Sequence, residues 1–171
     1  MGLADYVEKT FPELQEIKNE ELRNKVVEVY CKAMVDGGWD TMEGIPFTKV
    51  IKTDIPYLTH VKVVTGLAIK AAKTLVGTGL KINMDFLVAG GLLHDVGKLF
   101  EYSEIQKHDK LVRHPFSGAG LAMACGLPPE VVHIIAMHAK EGDMGKRIPE
   151  AVIIHHCDFI HFETVKSLTG Q

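Results

Sequence analysis

Six side chains of this 171-residue chain have the types and order of a metal-binding set. His94 and Asp95 stand side by side in Gly-Gly-Leu-Leu-His-Asp-Val-Gly-Lys (90–98), at the end of an apolar run. An imidazole and a carboxylate are costly to bury there unless something compensates them, and a divalent cation would do so. His60, His114, His138 and Asp158 extend the pair on either side. One histidine on an apolar face is more often a hydrogen-bonded core residue than a ligand. Four histidines and two aspartates spread over five segments are harder to explain by packing, which has no use for so many inward polar groups. Imidazole and carboxylate ligands together suit Fe, Mn, Zn, Co or Ni. Water held by such cations loses a proton near neutral pH and becomes a nucleophile.

The elements that must position these residues all read as helical. Residues 3–16 and 19–36 predict two helices, the first interrupted near Pro12 and the second stopped by Gly37-Gly38. The stretch 37–57, with Trp39, Pro46 and Pro56, is the longest irregular segment and of the kind that shapes a pocket. A helix over 58–76 places Val64, Leu67, Ala71 and Leu75 on one face with His60. The next, 84–96, is apolar on most sides, so it belongs at the centre, ending at His94-Asp95 with Gly97 as its stop. Residues 100–113 read as polar and irregular. Pro115 opens a helix to Cys125 with His114 at its entrance, and Pro128-Pro129 open another over 129–140 with His138 on its buried face. A Gly-containing turn, 141–147, leads to a last helix from Pro149 to Leu168 carrying Asp158. No strand-like alternation stands out. The expected fold is all-α: one compact bundle of about six to eight helices over 1–171, with no internal domain boundary and 1–56 packed on the metal-binding part.

Composition agrees with one globular domain with a real core: 46% hydrophobic, 24% charged, net charge −3. There is no long basic run, so strong nucleic-acid binding is not expected. Nor is there a basic, apolar start of a signal peptide, a myristoylation signal, or an apolar stretch long enough for a membrane. Cys31, Cys125 and Cys157 are widely spaced, with no C-x-x-C, and read as reduced thiols of a cytoplasmic protein. A homodimer is compatible on general grounds alone.

Taken in order, His60 (Tyr-Leu-Thr-His-Val), His94-Asp95 (HDxGK), His114 (Arg-His-Pro-Phe-Ser-Gly-Ala), His138 (Ile-Ile-Ala-Met-His) and Asp158 (His-His-Cys-Asp-Phe-Ile) form the pattern H…HD…H…H…D. Over about residues 57–165 this resembles the HD-domain superfamily of metal-dependent phosphohydrolases. Residues 1–56 carry no such resemblance. The likeness implies an essential quartet of His60, His94, Asp95 and Asp158. The middle histidines, His114 and His138, imply a second metal, with Asp95 bridging two divalent transition-metal ions. It implies a small phosphorylated substrate, a phosphomonoester or phosphodiester such as a nucleotide, and a phosphate contact for Lys98. Two alternatives share the ligand set: a mixed-valence di-iron oxygenase that cleaves C–C or C–P bonds, and a nucleotide-binding regulatory module without turnover. Ala139 follows His138 where the HD-GYP enzymes of cyclic dinucleotides carry a second histidine, and Val-Gly-Lys follows His-Asp where alarmone hydrolases carry Glu-Asp. Residues 113–160 also resemble the HD part of a bacterial endoribonuclease, but the absence of a basic patch favours a small molecule.

Several further residues have both a site reading and a plainer one. Arg113 is a candidate fork for phosphate or a solvated cation. His108, Asp109 and Lys110 contact substrate or form a solvated loop. Lys140 and Glu141 face the pocket mouth or form a charged helix end. His155 is placed to orient Asp158, His161 has no clear assignment, and His133 and His156 read as pointing away. Trp39, Phe47 and Tyr57 line a pocket or the core.

Overall fold

The computed structural model describes residues 2–105 and 111–170. Its helices are α1 (Leu3–Thr10), α2 (Glu20–Gly37), α3 (Tyr57–Val76), α4 (Met84–Leu93), α5 (Lys98–Glu101), α6 (His114–Ala124), α7 (Pro129–Met137) and α8 (Pro149–Leu168). Short 3-10 turns cover Pro12–Glu16 and Lys140–Gly142. Among the described residues there is no strand, only an isolated antiparallel bridge between Pro46 and Pro56. The all-α expectation holds. No helix is long and apolar enough to cross a membrane.

Local chemistry sets the helix ends. Asn19 and Asn83 cap α2 and α4, their side-chain oxygens accepting the N–H of Leu22 and Phe86. Gly38 ends α2 in the left-handed region, at φ 73°. Proline occupies the first turn of α6, α7 and α8, where its missing N–H costs nothing.

α4 is central, touching α2, α3, α7 and α8. Its Leu87, Val88, Leu92 and Leu93 are fully buried, each stabilising the fold by about 1.5–3 kcal/mol. Gly90 lets α7 approach, since a Cβ there would lie 2.8 Å from Ile134 Cδ1. The N-terminal helices share this core: Tyr30 of α2, Phe11 and Val26 pack in one cluster with Val88, Leu92 and Leu93. Asp85, in the first turn of α4, accepts the N–H groups of Lys18 (2.9 Å) and Asn19 (2.8 Å) and ties the start of α2 to it.

α4 stops three residues earlier than its apolar run predicts. Residues 94–97 form a tight turn in which Val96 N–H bonds Leu93 O and Lys98 N–H bonds Asp95 O, and a short helix, α5, starts where an irregular segment is expected. The turn withdraws the usual helical donor from the Leu92 carbonyl. Tyr30 replaces it by donating its hydroxyl to Leu92 O, while resting 3.3 Å from the Tyr57 hydroxyl. Burial pushes both phenols above their ordinary range, so they remain donors. Tyr30→Phe is therefore expected to lower the free energy of unfolding in urea by about 1–3 kcal/mol, the cost of an orphaned buried acceptor. A loss below about 0.5 kcal/mol would mean that Leu92 O has another donor.

Candidate metal centre

The turn after α4 directs His94 and Asp95 into the middle of the bundle, where both are at most 1% exposed. α3 brings His60, the start of α6 brings His114, the end of α7 brings His138, and α8 brings Asp158. Asp95 is the hub. Its Oδ2 lies 3.2 Å from His60 Nε2 and 3.5 Å from His94 Nε2. Its Oδ1 lies 3.2 Å from His114 Nε2 and 3.5 Å from His138 Nε2. Asp158 Oδ1 lies 3.1 Å from His60 Nε2. All six predicted ligands are brought together. Among the described residues, two groups have donor atoms close enough for a metal ion: His60, His94 and Asp95, and Asp95, His114 and His138.

The outer nitrogens determine what the inner ones can do. His94 Nδ1 donates to Gly91 O (2.7 Å) and His138 Nδ1 to Ile135 O (2.7 Å). A carbonyl only accepts, so both protons sit on Nδ1 and both Nε2 atoms present lone pairs. His114 Nδ1 donates to the Glu101 carboxylate, at 2.8 Å, with the same consequence. Burial pushes His94 down to about 3 and His114 below its ordinary value, which keeps them neutral. The His94 lone pair meets His60 Nε2 at 3.3 Å, whereas those of His114 and His138 face Asp95 Oδ1, a repulsive arrangement unless a cation lies between them. His138 Nε2 is buried with no hydrogen-bond partner, the mark of a ligand position rather than a satisfied core histidine. The residues fit a divalent metal.

Charge agrees. Burial alone would raise both aspartates. Instead the Lys98 ammonium and the His60 hydrogen bond hold Asp95 well below the usual carboxylate range, and the His60 hydrogen bond holds Asp158 at about 2. Both carboxylates converge on His60 Nε2 and raise its proton affinity against the effect of burial. The same pull would act on a metal ion.

Around this cluster lies a cavity of about 640 Å³ lined by Asp95, Lys98, His114 and Asp158 at its polar end. Lys98 is neither a surface lysine nor a helix cap. It is buried, donating to Asp95 Oδ2 (2.5 Å) and Phe47 O (2.6 Å). Arg113 lines the cavity, but its Nε and Nη1 are engaged by Glu141 (3.1 Å) and Glu101 (2.6 Å). Glu141 is thus a partner of Arg113, and Lys140 is at the rim.

Three placements differ from sequence expectation. His155 does not orient Asp158; its Nδ1 donates to His138 O at 2.6 Å. His161 makes the contact to a candidate ligand instead, 2.8 Å from His60 Nδ1, because α8 turns the histidine three residues after Asp158, not the one three before it, toward α3. His133 is half-buried and accepts the Ile148 N–H at 3.3 Å. Of the three loop aromatics, Phe47 lines the cavity and stacks near His60, at 4.6 Å between ring centroids. Trp39 donates to Leu99 O, and Tyr57 lies in the core. His108, Asp109 and Lys110 lie outside the described residues.

Glu101 is the residue that sequence reasoning missed. It accepts from the ring and backbone N–H of His114 and from Arg113. Its signal was the helical spacing from Lys98, hidden by the polar composition of the segment. Glu101→Gln should weaken metal affinity about 10–100-fold in a competition titration. Unchanged affinity would mean that His114 needs no anionic partner.

An all-α bundle that gathers four imidazoles and two carboxylates from five elements around one buried aspartate defines a class of metal-binding helical domain. The HD-domain family model matches residues 57–163, and the chain belongs to that family. The dihydroneopterin 2′,3′-cyclic phosphate phosphodiesterase of Methanocaldococcus jannaschii is 32% identical over 168 residues, covering 84% of this chain. The chain spans 64% of that relative's length. No solved structure matches significantly.

Proposed function

We propose that this chain is a metal-dependent phosphohydrolase acting on a phosphodiester, with two divalent transition-metal ions sharing Asp95. The observation that carries the reading is the pair of ligand groups meeting on one carboxylate, with the buried His138 Nε2 left without a hydrogen-bond partner and an adjoining cavity. In this reading His60, His94 and Asp158 complete one site and His114 and His138 the other. Fe, Mn, Zn, Co and Ni all suit these ligands. Bound there, the ions would supply an activated water and neutralise charge on the phosphoryl oxygens.

The chain's own residues do the rest. An ammonium carries three protons, and Lys98 spends two on Asp95 and Phe47 O, leaving one for a phosphoryl oxygen in the cavity. Arg113 commits Nε and Nη1 to carboxylates, so Nη2 is the nitrogen it would offer an anion. The relative named for a cyclic phosphate of a pterin supports a small cyclic phosphodiester over a polymer. The three cysteines are free, consistent with a cytoplasmic enzyme.

The test is elemental analysis of untagged protein purified without chelator, followed by assays on cyclic and linear phosphodiesters with Mn²⁺ or Co²⁺. Transition metal near two ions per chain and metal-dependent release of a phosphomonoester are expected. Protein that neither retains nor reloads metal refutes the reading. Oxygen uptake with Fe²⁺ and no ester cleavage would replace hydrolysis with di-iron oxygenation, and tight nucleotide binding without turnover would replace it with a regulatory role.

A further inference from the structure

The cavity is far larger than a phosphate group needs, and its far walls differ from its polar end. On one side runs the segment Phe47-Thr48-Lys49-Val50, and on the other α8 presents Phe159, Phe162 and Lys166. Phe47 and Phe162 meet edge to face at 6.2 Å, while Phe159 and Phe162 are half-buried and line the cavity. The 47–50 segment precedes the family match, which begins at residue 57, and it is fixed in place. Lys98 holds the Phe47 carbonyl at 2.6 Å, and Lys49 Nζ lies 4.2 Å from the centroid of the Tyr102 ring. α5, which follows His94-Asp95 directly, therefore clamps the segment at two points, so the wall is preformed. Along α8, Phe162 follows Asp158 by one turn and Lys166 by two, about 12 Å at about 1.5 Å per residue. That is the span of a phosphate plus a sugar-sized or chain-sized link and a ring.

We propose that the space between Thr48–Val50, beyond the Phe47–Phe162 contact, and the Phe159/Phe162 side of α8 is a subsite for a flat nitrogen heterocycle, a nucleobase or pterin, carried by the phosphoester substrate. This rests on the phosphohydrolase reading for the position of the phosphate and adds the residues that select the organic group. Aromatic side chains suit such a ring because every flat heterocycle offers a π face, and the rim lysines, Lys49 and Lys166, suit its carbonyl oxygens. The subsite assigns a role to a segment outside the family match: choosing substrate, while the helices after it hold metal.

The test is calorimetric titration of Mn²⁺-loaded protein with guanosine 5′-monophosphate, ribose 5-phosphate and guanosine. The nucleotide should bind at least about tenfold tighter than ribose 5-phosphate, the size of one base-stacking contact. Phe162→Leu and Phe159→Leu keep apolar volume but remove the ring face. Each should reduce that preference severalfold while ribose 5-phosphate affinity, which also reports that the site is folded, stays within about twofold. Equal affinity for nucleotide and sugar phosphate, no binding of nucleotide or nucleoside, or equal losses for both ligands in the variants would overturn the subsite. Ring-dependent binding of guanosine by a protein that cleaves no phosphoester would uphold the subsite and remove the hydrolase reading.

Discussion

Asp95→Asn should strip the protein of its metal and lower any phosphoesterase activity by about 10³-fold or more, while the metal-free protein still folds. Asparagine is the informative replacement because of Lys98. That buried ammonium lies 2.5 Å from Asp95 Oδ2, and alanine would leave it unpaired at a cost of about 3–5 kcal/mol, confusing loss of metal with loss of fold. An asparagine oxygen still accepts from Lys98. Its amide can also donate to the lone pair of His114 Nε2 or His138 Nε2, which in the wild type face a carboxylate oxygen at 3.2 and 3.5 Å. The repulsion that a cation would relieve is thereby relieved without one. Differential scanning fluorimetry with and without Mn²⁺ reads this directly. Metal at a thousand times its Kd should stabilise the wild type by about 4 kcal/mol, about 8–16 °C in Tm for a chain of this size. The variant should show no such rise. A variant that still gains stability from Mn²⁺ would place the metal elsewhere. One that melts far below the metal-free wild type would make Asp95 a structural residue.

The candidate ligands were legible because their chemistry conflicts with their surroundings. His60, His94, His138 and Asp158 each interrupt an apolar helical face, and such interruptions show in the spacing of a single sequence. What the sequence did not show are the partners on the far side of each ring. His94 and His138 are fixed by carbonyls three residues back, Gly91 O and Ile135 O, and every residue has a carbonyl. Glu101 and His161 reach their histidines across 13 and 101 residues, a relation that only tertiary packing creates. Arg113 has the opposite lesson. Its type and its place beside His114 suggest a free phosphate fork, yet Glu101 and Glu141 already hold two of its nitrogens.

Helix existence followed from periodicity, and the proline and glycine punctuation placed α2, α3 and α8 closely. The one structural departure that matters, the end of α4, is set by contacts. The apolar run continues through Val96, so the pattern extends the helix. The chain turns because Tyr30 satisfies the Leu92 carbonyl and because α6 lies against the turn.

The same contact makes Gly97→Ala the second large effect. Gly97 has an ordinary helical φ of −63°, so conformational freedom is not what it supplies. A Cβ there would overlap the carbonyl oxygen of His114 and lie 2.6 Å from Ser117 Oγ and 2.8 Å from Gly118 N. Two of those three atoms are backbone and cannot rotate away, so α6 itself must move. Overpacking costs about 1–3 kcal/mol and sometimes more; with backbone as the obstacle the upper end, about 3 kcal/mol, is expected, a fall of about 6–12 °C in Tm. The displaced start of α6 carries His114 away from Asp95, so the variant should also lose metal from the His114/His138 group before the His60/His94 group. Gly120→Ala is the control, on the same helix with nothing within 4 Å of the added Cβ, and it should stabilise by about 0.5–1 kcal/mol. If both substitutions behave alike, the glycine of HDxGK is present for its backbone alone. Opposite signs, with metal lost only in the first, would show that it is there to let the His-Asp turn and the helix carrying His114 touch.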